Sequence, residues 1–180
     1  MTARATRQDW CAAGLDVLRD HGHEAVTIDR LCTTLGKTKG SFYHHFADLD
    51  AYLGALLALW EQELTDRPID LAAREPSVGK RSARLDQVVR GLDHALDLAV
   101  RAWSSRDRRA RQAIERVDRR RIDYLAELHR ASGHKRARLL AELEYAAFVG
   151  GQHLGWFDDP RHAATLARAM HDALALLATA

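Results

Sequence analysis

Side chains that can bind phosphate or the edges of bases cluster between residues 37 and 45. The segment K-T-K-G-S-F-Y-H-H places lysine, threonine, serine, tyrosine and histidine side by side. No acidic residue lies between Asp29 and Asp48, whereas one arginine, two lysines and two histidines do. Basic side chains neutralise phosphates, and hydroxyl groups donate to phosphate oxygens or bases. The segment therefore indicates a nucleic-acid-binding surface.

Two short predicted helices position these side chains. Thr27 can cap the first, because its hydroxyl can accept a hydrogen bond from a backbone N–H one turn later. Ile28, Leu31 and Leu35 then fall on one face. Gly36 follows and suits a left-handed C-terminal cap. This first helix is therefore short and ends in a tight turn.

The second helix begins after Thr38, which is its predicted cap, and points Phe42 and Phe46 into the domain. A preceding helix is predicted from Thr6 to His21, and Gly22 ends it. Three short helices around one apolar centre, with polar residues on the last, are typical of a helix-turn-helix. This motif places its second helix in the major groove of DNA. The apolar stripe of the first helix consists of Trp10, Cys11, Gly14, Leu15 and Leu18.

In this region the chain resembles the TetR family of bacterial transcriptional regulators. The resemblance covers about the first 55 residues and implies an N-terminal DNA-binding domain, which we place at residues 1–48. Beside the stripe of the first helix, it is carried by Gly22, Thr27, Leu31, Leu35, Gly36 and, above all, K-G-S-F-Y-H-H-F from Lys39 to Phe46.

The resemblance implies DNA-contacting roles for eight residues of the motif. Thr27 matches a hydroxyl residue whose helix start faces the DNA backbone, and Tyr43 matches an aromatic residue that touches phosphate. Ser41 and His45 match positions on the exposed face of the recognition helix. The full set is Thr27, Lys37, Thr38, Lys39, Ser41, Tyr43, His44 and His45.

Three positions depart from the family pattern. Lys37 stands where a small apolar residue is usual, and adds a possible phosphate contact. Leu49 replaces a lysine that is usual at the start of the fourth helix, which removes one backbone contact. Gly14 stands where alanine is more common, and glycine within a helix is expected to cost up to about 1 kcal/mol.

Charge supports DNA binding through its distribution rather than its total. The 180-residue chain has a formal net charge of +2, and residues 1–54 carry six basic and seven acidic residues. Because phosphate neutralisation drives nonspecific affinity, we expect modest binding per head and a weak dependence on salt.

The chain shows no apolar run of about 18 residues and no signal-peptide pattern, so we expect a cytoplasmic protein that does not enter membranes, and the family resemblance implies a bacterial one. Cys11 and Cys32 both fall at apolar helical positions, which favours buried thiols. A thiol redox switch is the alternative for this pair.

The remainder, residues 49–180, is predicted to be a ligand-sensing and dimerisation domain built as a helical bundle, so the fold class is all-α. We expect Pro68 to end the fourth helix and residues 67–81 to form a loop. Asp159 is the predicted cap of the last helix, which begins at Pro160. The predicted helices of this part cover residues 48–66, 82–103, 107–130, 134–156 and 160–177.

In the TetR family the last two helices pair with their symmetry mates in a dimer, which the resemblance implies here for residues 134–156 and 160–177. A close contact within one subunit is the alternative reason for the small residues of the first of these helices. The last helix is predicted to turn Leu166, Ala169, Met170, Ala173, Leu174 and Leu177 inward. The predicted interface residues are Ala146, Gly150, Leu154, Leu166, Met170 and Leu174.

A two-fold dimer places two recognition helices roughly 34–36 Å apart and predicts an inverted-repeat operator in double-stranded DNA. The family resemblance implies repression by promoter occupancy and release of DNA by a small-molecule effector. Large aromatic or polar residues on apolar stripes could contact that effector. Plain core packing is the alternative for the aromatic residues, and pairing with an internal acid for Arg121. The predicted effector-pocket residues are Trp60, Trp103, Arg121, Tyr124 and His153.

Nine arginines fall between residues 101 and 121, and a solvated face paired with neighbouring acids is favoured over a second nucleic-acid surface. The histidines lack metal-ligand spacing, and no catalytic motif is present, so we expect neither a metal, a cofactor nor an enzyme. The sequence predicts a DNA-binding regulator. The alternative is a helical ligand-binding or partner-binding protein with weakened DNA binding.

Overall fold

The structure, a computed structural model, describes residues 5–179. Helices joined by short turns make up this range, and no strand occurs within it. The predicted all-α class is confirmed.

Three short helices form the N-terminal part, as predicted: α1 Arg7–His21, α2 Ile28–Leu35 and α3 Lys39–His45. Each begins at a threonine whose hydroxyl accepts a backbone N–H, at Thr6, Thr27 and Thr38. Gly36 ends α2 in the left-handed region with φ +60°, where a side chain would be strained. The predicted caps of α2 and α3 are confirmed.

An aromatic cluster forms the centre of this part. Phe42 of α3 is fully buried and contacts Trp10 edge-on, with 5.4 Å between the ring centroids. Phe46 follows α3 and lies edge-on against Tyr52, at 5.0 Å. The Tyr52 hydroxyl donates a 2.9 Å hydrogen bond to the carbonyl oxygen of Trp10. Burial raises the pKa of Tyr52 well above its usual range, so the hydroxyl stays protonated.

Gly14 has a packing role that its sequence position did not reveal. A Cβ at Gly14 would lie 1.8 Å from the Tyr52 hydroxyl and 3.0 Å from Leu56 Cδ1. The absence of a side chain therefore lets Tyr52 reach the backbone of α1. The predicted helix penalty of glycine is offset by this contact.

The predicted loop at residues 67–81 is wrong. Helix α4 Leu49–Glu61 continues through a π-helical turn, Gln62–Asp66, directly into α5 Arg67–Ala73. Pro68 lies in the first turn of α5, where a missing N–H costs little, so it does not end the helical path. Helix α6 then begins at Val78.

The single helix predicted for residues 82–103 is also wrong. It is two helices, α6 Val78–Val89 and α7 His94–Ser104. Between them the N–H groups of Gly91 and Leu92 donate to the carbonyls of Val88 and Val89, which closes α6 with tighter turns.

The remaining helices are α8 Arg108–Ala131, α9 Ala137–His153 and α10 Pro160–Thr179. Asp159 accepts the backbone N–H of Arg161, which confirms the predicted cap of α10. Helix α9 begins three residues later and ends three residues earlier than predicted, and Gly155, at φ +67°, lies in the turn after its C-terminal end. A Cβ at Gly151 would lie 2.8 Å from the Trp156 ring, so this glycine serves a close contact within the chain.

The inward stripe predicted for α10 is only partly right. Leu174 is buried and Leu166 and Met170 are partly buried, but Ala169, Ala173 and Leu177 are exposed. Ala163, which was not predicted, is buried. The buried positions 163, 166, 170 and 174 follow spacings of three and four, which is the period of a helix face.

By their internal packing, the described residues divide into two units. The first unit comprises residues 5–63 and 95–114, and the second comprises residues 64–94 and 115–179. The boundary between residues 48 and 49 stays a prediction. In the described part of the chain, no helix combines the length and apolar character that crossing a membrane would need.

Candidate nucleic-acid interface and ligand cavity

The predicted DNA-contacting residues lie at the starts of α2 and α3, on the turn between them and along α3. Thr27, Thr38, Lys39, Tyr43 and His44 are exposed. Lys37, Ser41 and His45 are half-buried. The motif thus presents five of its eight predicted contacts openly to solvent.

The turn between α2 and α3 is held by backbone bonds. The Lys37 N–H donates to the Cys32 carbonyl at 2.9 Å, and the Gly36 N–H donates to the Thr33 carbonyl. The Thr38 hydroxyl accepts the Ser41 N–H at 3.3 Å. Because these bonds fix where α3 starts, the first turn of α3 is presented in a defined orientation.

His45 differs from its predicted exposed position. Its Nε2 lies 2.9 Å from the Ala5 carbonyl oxygen, to which it can donate, and its ring is half-buried. The ring thereby ties the C-terminal end of α3 to the chain before α1. We interpret His45 as a residue that positions α3.

Lys39 forms an ion pair within the motif. Its Nζ lies 2.6 Å from Oδ1 of Asp29, the acidic residue in the first turn of α2. The hydrogen bond to Asp29 raises the pKa of Lys39, so the lysine remains charged. Both side chains are exposed, so the pair adds little to stability. The pair places the ammonium group beside α2.

Tyr43 is held by packing while its ring remains open. The side chain is 54% exposed, and its ring meets the buried Phe42 edge-on at 5.5 Å between centroids. An exposed phenol on a supported ring can donate to a phosphate with little loss of side-chain entropy.

The first unit also contains contacts between residues that flank the helix-turn-helix and the corner of α7 and α8. The Arg106 guanidinium pairs with Glu24 at 2.9 Å, and the Arg109 guanidinium pairs with Asp50 at 2.8 Å. His23 stacks on Trp103 with 5.9 Å between ring centroids. These contacts hold the residues before α2 and at the start of α4 against one corner.

Several arginines between residues 101 and 121 pair with acids or backbone carbonyls, which agrees with the predicted solvated, paired face. Arg101 lies 3.4 Å from Asp97, and Arg120 lies 2.9 Å from Asp66. Arg111 donates to the carbonyls of Ser104 and Ser105. The second nucleic-acid surface gains no support from these contacts.

A cavity of about 340 Å³ lies within the second unit, bounded by α6, α8, α9, α10 and the turn after α9. This volume falls within the range of small-molecule pockets. Its walls are mainly apolar and include Leu125, Phe148, Trp156, Phe157, Leu166 and Met170.

None of the five residues predicted for an effector pocket lines this cavity. Trp60 and Trp103 are buried core residues of the first unit. Tyr124 is buried in an apolar cluster with Ala72 and Leu128, and His153 is exposed. The burial of the three aromatic residues agrees with the alternative of plain core packing, and their assignment to an effector pocket stays a prediction.

Arg121 stabilises the π-helical turn. Its guanidinium donates to the Leu64 carbonyl and to the Thr65 hydroxyl, both at 3.0 Å. It also lies 3.4 Å from the Tyr145 hydroxyl, which donates to Asp118 at 2.6 Å. Arg121 therefore supplies partners to backbone and side-chain groups where α4 passes into α5, and does not face the cavity.

The cavity has a polar end. His129 Nε2 lies 2.7 Å from Glu144 Oε2, and its Nδ1 lies 3.1 Å from His134 Nδ1. Asp86 of α6 lines the same cavity. Asp86 is an exposed residue, but the protein atoms packed around its carboxyl raise its pKa, and Glu144 raises it further. Within residues 5–179, no group of three His, Cys, Asp or Glu residues could hold a metal ion.

The predicted dimer residues separate into two groups. Leu166, Met170 and Leu174 line the cavity, and their assignment to a subunit interface stays a prediction. The other three lie on one face of α9 and just beyond it: Ala146 is exposed, Gly150 has open space beside its Cα, and Leu154 is 67% exposed.

Two residues that were not predicted extend this face of α9. Leu139 and Leu143 are 49% and 45% exposed and lie at helical spacing from Ala146. We call the set Leu139, Leu143, Ala146, Gly150 and Leu154 the α9 face. The helical period of its leucines was visible in the sequence.

Known proteins match this chain most specifically at the helix-turn-helix. Residues 11–55 match the family described as "Bacterial regulatory proteins, tetR family". Over 60 residues the chain is 35% identical to the HTH-type transcriptional repressor Rv1474c of Mycobacterium tuberculosis, which covers 33% of this chain and 30% of that protein. It is 36% identical over 50 residues to the HTH-type transcriptional repressor AcnR of Corynebacterium diphtheriae, covering 28% and 26%. The matches thus span less than a third of either repressor.

The fold of the whole chain also has a solved counterpart. A transcriptional regulator of the TetR/AcrR family superposes with a TM-score of 0.77 over 93% of this chain and 95% of its own, at 23% identity. At this identity the likeness shows the fold alone. The helix-turn-helix of this chain is therefore similar to those of TetR-family repressors, and its fold is similar to that of a TetR/AcrR-family structure.

Proposed function

We propose that the protein is a homodimeric, sequence-specific DNA-binding regulator of the bacterial cytoplasm. In this proposal it represses transcription from an inverted-repeat operator and leaves DNA when a small molecule occupies the cavity of the second unit. The observation that carries the proposal is the exposed side of α3, held on a buried aromatic core and started by a fixed turn. It offers Lys39, Tyr43 and His44 to a groove while Phe42 anchors the helix from behind.

Electrostatics supports this use of α3. The surface from Arg30 to His45 contains basic and hydroxyl residues, and its nearby carboxylate, Asp29, is already paired with Lys39. The backbone N–H groups at the starts of α2 and α3 add partial positive charge. A phosphate arriving at this surface meets donors with fixed positions.

The two-fold arrangement is inferred from the α9 face. An apolar strip on a helix exposed to water is typical of an interface that a partner covers. A second copy placed on this strip would be related by a two-fold axis, which matches an inverted repeat in DNA. An effector in the cavity would act only by binding the non-DNA conformation more tightly than the DNA-bound one.

Gel-shift titration with the DNA upstream of the protein's own gene tests the proposal. We expect Lys39→Ala and Tyr43→Ala each to weaken binding by about tenfold or more, because a hydrogen bond to a charged group contributes about 1.5–3 kcal/mol. Lys39→Ala should also reduce the salt dependence by about one ion per head.

Lys80→Ala, which removes an exposed lysine of α6, is the matched control and should leave binding unchanged. Circular dichroism should show the same helix content in all variants. Equal affinity of the parent and both α3 variants would refute the proposed contact. Failure of the parent to bind any promoter at low salt would favour a ligand-binding protein, a reading that the cavity also supports.

A further inference from the structure

The acidic and basic side chains at the polar end of the cavity do not balance in charge. Asp86 and Glu144 supply two carboxyl groups, and Arg90 supplies one guanidinium. Three imidazoles, those of His129, His134 and His171, line the same cavity. With neutral imidazoles, this end of the cavity therefore carries more negative than positive charge.

The hydrogen bonds of the histidines can be satisfied without adding positive charge. His134 Nδ1–H can donate to His129 Nδ1 over 3.1 Å, which leaves His129 Nε2–H to donate to Glu144 over 2.7 Å. In this arrangement each of the two contacts has one donor and one acceptor, and no additional proton is needed. The side chain of Glu144 is 29% exposed, so part of it remains accessible.

The charged form of Asp86 is disfavoured by its surroundings. The protein atoms packed around the Asp86 carboxyl raise its pKa most, and repulsion from Glu144 raises it further, which the charge of Arg90 only partly offsets. A positive charge placed beside both carboxyl groups would remove this repulsion, whereas a third negative charge would increase it.

The rest of the wall is apolar and includes three aromatic rings. Phe148 and Phe157 have ring centroids 5.4 Å apart, and Trp156 closes the turn beside them. Gly151 permits this closure, because a side chain there would collide with Trp156. The cavity therefore combines an aromatic wall with two acidic side chains.

We propose that the cavity binds molecules that have an apolar, aromatic body and a protonated amine, with the amine at Asp86 and Glu144 and the body against Phe148, Trp156 and Phe157. The claim that such a molecule is the effector rests on the proposed function. The claim that the cavity binds such a molecule does not. Carboxylates attract the ammonium group, and the aromatic rings bury the apolar body and stabilise nearby positive charge.

Three probes of nearly equal size and different charge test the inference by calorimetric titration without DNA: 4-phenylbutylamine, 4-phenylbutanol and 4-phenylbutyrate. We expect the amine to bind at least tenfold more tightly than the alcohol, and the carboxylate to bind most weakly. Trp156 is the tryptophan of the second unit, so a change of its fluorescence reports occupancy of this cavity.

Asp86→Asn should lower the affinity for the amine about tenfold and leave the alcohol unchanged. It should fold normally, because it removes a charge that its surroundings disfavour. Glu127→Gln is the matched control, since Glu127 is an exposed acid of α8 that does not line the cavity, and it should change nothing.

Equal affinities for amine and alcohol, or undiminished amine binding by Asp86→Asn, would overturn the inference. Because DNA is absent, these outcomes are independent of the proposed function. A protein that selects the amine but binds no promoter would retain this ligand class and lose its role as a regulator. If the protein binds a promoter but none of the three probes, the proposed regulatory role stands and the proposed ligand class is wrong.

Discussion

Gly14→Ala should lower the free energy of unfolding by about 1–3 kcal/mol, although alanine is the better helix former. The new Cβ would lie 1.8 Å from the Tyr52 hydroxyl and 3.0 Å from Leu56 Cδ1, so α1 and α4 must separate or Tyr52 must move. Moving Tyr52 would break its buried hydrogen bond to Trp10. Urea denaturation followed by circular dichroism measures the loss.

Gly54→Ala is a matched control on α4. Gly54 has nothing within 4 Å of its ideal Cβ position, so alanine should there stabilise the protein by about 0.5–1 kcal/mol. The same substitution is thus expected to have opposite signs at two helical glycines. If Gly14→Ala were as stabilising as Gly54→Ala, the close packing of α1 on α4 would be wrong.

The substitution Tyr52→Phe tests whether the Tyr52 hydroxyl is the group with which the new Cβ at position 14 collides. Alone, it should cost about 0.5–1.5 kcal/mol because the hydrogen bond to Trp10 is lost. Combined with Gly14→Ala, it should cost less than the sum of the two single changes, because the hydroxyl is already absent. Strict additivity would show that the strain arises elsewhere.

Leu143→Glu/Leu154→Glu should convert the proposed homodimer into monomers. Both leucines are exposed on the α9 face, and two buried carboxylates in each subunit would be costly at an apolar interface. When one DNA-binding domain of a dimer is bound, the second is held at a high effective concentration beside the adjacent half-site. The variant should therefore lose about a hundredfold or more in affinity for the operator.

Sedimentation equilibrium should report the mass of two chains for the parent and of one chain for this variant. Ala58→Glu/Ala83→Glu adds the same charges at exposed positions of α4 and α6, outside the α9 face, and should remain dimeric. A variant with both leucines replaced that sediments as a dimer would place the interface elsewhere.

Local interactions explain why the helix-turn-helix could be predicted in detail. The caps at Thr27, Thr38 and Asp159 are bonds between residues two or three apart, and the turn at Gly36 needs only a left-handed residue. The apolar spacing that buries Leu31 and Phe42 is equally local. Such features depend on short stretches of sequence and can be recognised in them.

The incorrect predictions concern structural features that contacts between distant residues determine. The path from α4 into α5 is supported by Arg121, whose partners Leu64 and Thr65 are more than fifty residues earlier in the chain. His45 likewise bonds to Ala5, forty residues away. Neither partner can be recognised from the local pattern.

The cavity was missed for the same reason. The apolar stripe predicted for α10 contains three residues that line the cavity, Leu166, Met170 and Leu174. Periodicity alone does not show whether such a stripe lines a cavity or contacts another subunit. Asp86 and Glu144 look like ordinary surface acids until α6 and α9 bring them to one space. Prediction of the cavity residues would have required the packing of four helices in advance.

Selection of bound duplexes from a random DNA pool by the purified full-length protein tests most directly whether α3 reads DNA. We predict enrichment of one inverted-repeat sequence whose half-site centres are about one helical turn apart, roughly 34–36 Å, or slightly more if the DNA is distorted. Tyr43→Ala should fail to enrich it. A pool that remains random after repeated rounds at low salt, or an enriched site that Tyr43→Ala and Lys39→Ala bind as well as the parent does, would contradict the role assigned to α3.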